Sequence, residues 1–195
     1  MASENFAEAP ARVKRSAFFA GVRHGPFPGK LSKGQVDGME AILDEWERRG
    51  LTDLRWLAYM LATVFHECAQ TMQPITETGG IRYLKSKRYY PWYGRGFVQL
   101  TWKQNYEAMQ KLLKAAGIDC DIVADPEQAK RIDVATFIMF EGMLRGSFTG
   151  KKLSNYFNKS MNDPVGARRI INGTDKAAPI AGYHKQFLAD LLTAA

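Results

Sequence analysis

The segment LRWLAYMLATVF, residues 54–65, restricts the possible fold more than any other part of this chain. Leu54, Leu57, Ala58, Leu61, Val64 and Phe65 recur at helical spacing and form an apolar face too broad for a surface helix. Thr52 or Asp53 can cap its start, because a short oxygen-bearing side chain satisfies a free N–H of the first turn. Such a helix must be covered by other elements, so the chain has to pack helices around it. It runs directly into His66 and Glu67, and a second carboxylate follows at Glu77, beyond Pro74 and before Gly79-Gly80. Glu67 thus falls at a helix C-terminus, where the helix dipole works against a negative charge. A glutamate there is either a solvated surface group or one kept for its chemistry.

The flanking sequence is largely helical. Val36, Met39, Ile42, Leu43 and Trp46 follow i, i+3, i+4, i+7 spacing, which predicts an amphipathic helix over 33–49 ending at Gly50. Tyr106, Met109, Leu112 and Leu113 predict another helix. ADPEQAKRIDVATFIMFEGMLRG then predicts one that starts with Asp125 as N-cap and Pro126 in the first turn. NDPVGARRIING repeats the Asp-Pro start at Asp163-Pro164, and Ile180, Tyr183, Phe187 and Leu191 mark a last helix. Residues 70–101 differ: Gly, Pro, Tyr and Thr dominate, and RYYPWYGRGFVQLTW reads as short strands and tight turns. The predicted architecture is one mainly α domain over 1–195, of α+β type, with a small β-rich lobe inserted at about 70–102.

At 46% hydrophobic and 24% charged residues this is ordinary globular composition. The N-terminal stretch lacks a charged start followed by roughly 7–15 apolar residues, so no secretory signal is expected and synthesis is expected in a cytoplasm. The formal charge of +7 calls for an anionic partner. Nucleic acid is not expected, because no binding signature accompanies the charge; an anionic glycan or cell envelope fits it. Cys68 and Cys120 make neither a ligand-spaced pair nor a disulfide framework, and both are expected as buried free thiols.

Several motifs fail on inspection. His66-Glu67 would begin a zinc motif on a helix, but Gln70 stands where the second histidine belongs, so no metal is expected. Gly94-x-Gly96 lacks the third glycine of a dinucleotide fingerprint, since Gln99 occupies that place. What remains is a carboxylate pair among Tyr, Trp, Gln, Asn, Thr and Arg. Glycosidic cleavage by inversion uses such a pair, one to protonate the leaving oxygen and one to activate water. Flat apolar side chains and a few fixed polar groups would line the sugar site.

WLAYMLATVFHECAQTMQPITE, then YYPWYGRGFVQLTWKQNY, then ARRIING resemble, in that order, the family 19 glycoside hydrolases. The likeness covers roughly residues 18–192 and lies with the chitinase-like branch that includes endolysins of phages infecting Gram-negative bacteria. It implies a lysozyme-like fold, no cofactor, and cleavage of β-1,4 bonds beside N-acetylglucosamine-type sugars. By this resemblance Glu67 matches the general acid and Glu77 the second carboxylate, while Thr101 would hold the attacking water. Tyr93, Gln99, Asn105, Tyr106 and Asn172 match sugar-contacting positions. His66 would orient a neighbouring group, and Arg95 would support the acid. INGT in place of INGG, Pro179 in place of a common arginine, and compact loops favour peptidoglycan over chitin. The expected protein is a monomeric endolysin of muramidase type, made in the host cytoplasm and acting in the periplasm on peptidoglycan strands. Its basic patches could also meet the anionic outer-membrane surface. A chitinase, a lytic transglycosylase using Glu67 alone, and a non-catalytic envelope-binding protein are the competing readings.

Overall fold

The computed structural model describes residues 12–195. Its centre is helix α3 (Leu54–Glu67), which starts where the Asp53 carboxylate accepts a hydrogen bond from the Arg55 amide at 3.1 Å. Every residue from Leu57 to Phe65 is buried, as the broad apolar face requires. The cover comes mainly from α7 (Ala177–Ala194), which lies along α3 and also packs on α1 (Arg15–Val22), and from α2 (Lys33–Arg48). Phe65 meets Tyr183 and Phe187 of α7 edge-on, with ring centroids 4.7 and 5.9 Å apart. Edge contacts of this kind add to the area each ring buries.

Helix α2 is fixed at its start by a capping box, in which Ser32 and Gln35 satisfy each other's backbone N–H groups. It buries Met39, Ile42, Leu43 and Trp46, the face read from the sequence. Between α3 and α5 (Lys103–Ala115) lies the inserted lobe. Its sheet is small: β1 (Ile75–Thr76) pairs antiparallel with β2 (Arg95–Gly96), Ile75 opposite Gly96 and Thr76 opposite Arg95. A short helix, α4 (Ile81–Lys85), and a series of turns complete the lobe, so most of what reads as strand is turn.

The chain reverses immediately after α3. Ala69, Gln70 and Met72 all adopt positive φ, of 47°, 65° and 53°, a left-handed conformation that costs non-glycine residues energy. The tight return is held against α2. Gln35 Nε2 donates to the Gln70 carbonyl at 3.0 Å, and Gln73 Nε2 donates to the Gly34 carbonyl at 2.6 Å. Gly38 permits this contact, since a Cβ there would lie 1.7 Å from the Met72 carbonyl oxygen. This reversal brings the chain back towards Glu67 within ten residues and so places Glu77.

Two expectations change. Asp125 caps as foreseen, accepting from the Glu127 amide at 3.2 Å, but it starts a 3-10 helix, Pro126–Lys130, not one long helix. The chain then extends at Arg131 (ψ 135°) before α6 (Ile132–Arg145) begins. The 3-10 turn packs on β2, where the Ala129 carbonyl stands 3.0 Å from where a Gly96 Cβ would be, so a continuous α-helix gives way to a lobe contact. Both cysteines are free, but Cys120 is only half-buried, because it lies on the exposed connection after α5.

Buried His184 on α7 makes stability depend on pH. Its ring stacks on Phe157 with centroids 5.3 Å apart, its Nε2 lies 3.2 Å from the Arg55 carbonyl, and burial pushes its pKa down to about 4. The unfolded imidazole takes up a proton first, at its ordinary value near 6.5. The contribution is therefore complete above pH 6.5 and lost as pH falls towards 4, roughly 3 kcal/mol in all. Thermal melts should show a fall in Tm across this window that shrinks by several degrees in His184→Gln. An unchanged pH slope in that variant would assign the acid sensitivity to other groups.

Candidate active site

A cleft of about 510 Å³ runs between the lobe and the helical body, and both Glu67 and Glu77 line it. Glu67 comes from the last turn of α3, and Glu77 from the first residue past β1. The two carboxylates are held in different ways. Glu67 Oε1 is paired with Arg168 Nη1 at 2.5 Å, while among the described residues nothing hydrogen-bonds to Oε2. Arg168 is almost fully buried, on the 3-10 helix Gly166–Ile170, and its Nε donates to the Asp175 carbonyl at 2.9 Å. A fixed guanidinium thus supplies the positive charge that the C-terminus of α3 lacks.

Glu77 is held at both oxygens. Tyr89 Oη donates to Oε1 at 2.7 Å, and the Gly94 amide donates to Oε2 at 3.1 Å. The Glu77 amide in turn donates to the Gly94 carbonyl at 2.7 Å, so backbone and side chain close on the same residue. A side chain at Gly94 would break this arrangement, because its Cβ would lie 2.8 Å from Gln99 Oε1 and 3.4 Å from the Glu77 Cβ. Burial, and secondarily Glu77, push the Tyr89 hydroxyl up to about 12, so it stays a donor at any working pH. With donors at both oxygens, Glu77 is arranged as an acceptor, whereas Glu67 keeps one oxygen open to the cleft.

Gln99, Thr101, Asn105 and Asn172 also line the cleft. Thr101 Oγ1 donates to the Gln99 carbonyl at 2.8 Å, which commits its proton and leaves its oxygen to accept from the cleft. Asn105 Nδ2 donates to the Thr101 carbonyl at 2.8 Å, tying the start of α5 to this turn. Gln99 and Trp102 sit at φ 53° and 74°, so the turn carrying Thr101 is strained on both sides. Asn172 reaches the cleft from the segment after Arg168, its amide donating to the Arg168 carbonyl at 3.0 Å.

The structure places the remaining sequence candidates off the cleft lining. Tyr106 is fully buried; its hydroxyl donates to the Tyr93 carbonyl at 2.9 Å, so it braces the lobe and is unavailable to sugar. Arg95 is buried too, and it pairs with Glu127 at 2.8 Å and donates to the Pro91 and Tyr93 carbonyls, so it supports the lobe and not Glu67. The Tyr93 ring lies under the Arg95 guanidinium at 3.7 Å and stacks on Tyr90. His66 lies against Tyr183 of α7 with centroids 6.4 Å apart, and burial lowers its pKa, which favours a neutral ring.

Sequence reasoning misses Arg168, Tyr89 and Trp102. Tyr89 and Trp102 both line the cleft and meet edge-on at 5.3 Å, and Trp102 is 42% exposed, leaving a flat apolar surface at the rim. A signal existed for these two, since RYYPWY and LTW are aromatic-rich turns beside the polar candidates. For Arg168 none existed, because Arg168 and Arg169 are adjacent in sequence and only the fold buries the first.

No protein-family model matches the sequence, and no curated protein matches it. Solved structures do share the fold. Chitinase C from Streptomyces griseus HUT6037 aligns with a TM-score of 0.60 at 19% identity, covering 94% of this chain and 77% of that one. A glutamate-to-glutamine variant of chitinase C aligns at 0.55 and 19% identity, covering 99% of this chain and 95% of that one. The mainly helical architecture with a small two-stranded sheet is the lysozyme-like chitinase fold.

Proposed function

We propose that this chain is a glycoside hydrolase that cuts β-1,4 bonds in the glycan strands of peptidoglycan by inversion, as an endolysin acting on the cell wall. The observation that carries this reading is the unequal pair on one cleft, Glu67 with an open oxygen and Glu77 with both oxygens accepting. The fold it shares with chitinase C supports the same reaction class.

In this mechanism Glu67 carries a proton on Oε2 and delivers it to the leaving glycosidic oxygen, while Arg168 keeps Oε1 in place and steadies the carboxylate that remains. Glu77, oriented by Tyr89 and Gly94, takes a proton from a water on the other face of the sugar ring. The second hydrogen of that water can be accepted by Thr101 Oγ1, whose own proton is committed to Gln99. Trp102 offers an apolar face to a sugar ring, and Asn105 and Asn172 offer amide groups for its substituents. Mere envelope binding needs no such division between two carboxylates.

The test is mass spectrometry of fragments released from purified peptidoglycan, with the fresh anomer read by NMR. Fragments that have gained water, with inverted configuration at the new reducing end, are expected. Anhydro products would show that Glu67 works alone as in a transglycosylase. Turnover of chitin oligomers with peptidoglycan left intact would establish the chitinase reading instead.

A further inference from the structure

Between Glu77 and Glu107 the sequence contains no Asp or Glu, yet it carries Arg82, Lys85, Lys87, Arg88, Arg95 and Lys103. Arg95 is neutralised by Glu127, and Lys103 reaches Glu107 at 3.6 Å. Among the described residues Arg82, Lys85, Lys87 and Arg88 have no carboxylate within ion-pair distance, and all but half-buried Lys87 are exposed. They sit on and just after α4, beside exposed Ile81, Tyr83 and Tyr90. Lys87 Nζ stands 3.9 Å from the centre of the Tyr83 ring. This face runs into the cleft through Tyr89, which belongs to the same segment, lines the cleft, bonds Glu77 and abuts Trp102.

Cations without acids among them add their fields, and a field beside a cleft raises the local concentration of oppositely charged ligands. Exposed aromatic faces next to those cations suit sugar rings bearing acidic substituents. The five residues of α4 make less than one and a half helical turns, which leaves no continuous apolar stripe to lie in a membrane interface. We propose that the α4 face is a specificity element that selects carboxylate-bearing glycan strands over neutral ones at the adjoining cleft. The proposal rests on the glycosidase reading above and names the substrate class that the site prefers.

The experiment compares two soluble ligands of matched length: peptide-free peptidoglycan strands, which carry lactyl carboxylates, and neutral N-acetylglucosamine oligomers. Turnover is measured with the native protein and with the triple variant Arg82→Gln, Lys85→Gln, Arg88→Gln. Binding of both ligands is measured in each protein with Glu67→Gln added. Exposed charges contribute modestly one by one, so the triple variant should raise KM for the acidic strands about fivefold, leave kcat within twofold, and leave the neutral oligomer unchanged. The dissociation constants should move in the same ratio. Equal effects on both ligands, or none on either, would overturn the proposal. So would a variant that loses affinity for phosphatidylglycerol vesicles or single-stranded oligonucleotides while keeping its affinity for the strands. If the native protein turns over neither glycan, the glycosidase reading fails, and the binding ratio still decides whether the α4 face reads charge.

Discussion

Glu67→Gln should lower turnover of peptidoglycan by roughly 10²–10⁴-fold, the range for a positioned acid. The substituted amide keeps the size of the side chain and an oxygen for Arg168 Nη1, but it has no proton to deliver to a leaving alkoxide. The fold should feel the change mildly. Arg168 is 3% exposed and would retain its bond to the Asp175 carbonyl, yet it would lose its only salt bridge among the described residues. Breaking a buried pair can cost several kcal/mol when a charge is stranded. Here the amide oxygen still accepts, so about 1–2 kcal/mol is expected, a Tm shift of roughly 2–8 °C for a chain of this size. Activity assayed well below the melt then isolates the chemistry. A Glu67→Gln protein with more than a tenth of native turnover would remove Glu67 from the role of acid.

The parts of this site that the sequence revealed are those governed by local rules. Helical spacing and the Asp53 cap place α3, and the length of its apolar run places Glu67 at the end. Asp125 caps as its position before proline suggests, whereas Asp163 Oδ1 accepts from the Gly166 amide at 2.7 Å across a turn and the 3-10 helix there starts only at Gly166, after Val165. What sequence periodicity does not encode is which polar groups the fold turns inward. Tyr106 and Asn105 are neighbours in the same motif, yet the rotation of about 100° between consecutive helical residues sends the first into the core and the second to the cleft. Arg95 and Arg168 are both buried arginines, and only the tertiary contact decides that the first meets Glu127 and the second Glu67. The positive φ values at Ala69, Gln70, Gln99 and Trp102 are equally illegible, because these residue types give no hint of a left-handed turn. Ala69 and Gln70 follow Glu67, and Gln99 and Trp102 bracket Thr101, so local preference fails where the site is assembled.

Glu77→Gln should cost as much as Glu67→Gln, for the opposite reason. A carboxylate held by two donors is set to receive a proton from water, and an amide cannot receive it. The substitution can be accommodated without loss of the lobe. Its oxygen can keep the Gly94 amide, and its nitrogen can donate to Tyr89 Oη, whose hydroxyl can rotate from donor to acceptor. Turnover is therefore expected to fall by roughly 10²–10⁴-fold, with KM changed less than threefold and the melt nearly unmoved. Tyr89→Phe removes only the donor on Oε1, and about a tenfold fall in kcat is expected as the value of holding the base in line. The order of the two variants is the decisive measurement. If Tyr89→Phe is as damaging as Glu77→Gln, Tyr89 contributes chemistry of its own. If Glu77→Gln turns over peptidoglycan at the native rate, Glu77 serves only to close the lobe through Gly94, and the water must be activated elsewhere or not used at all.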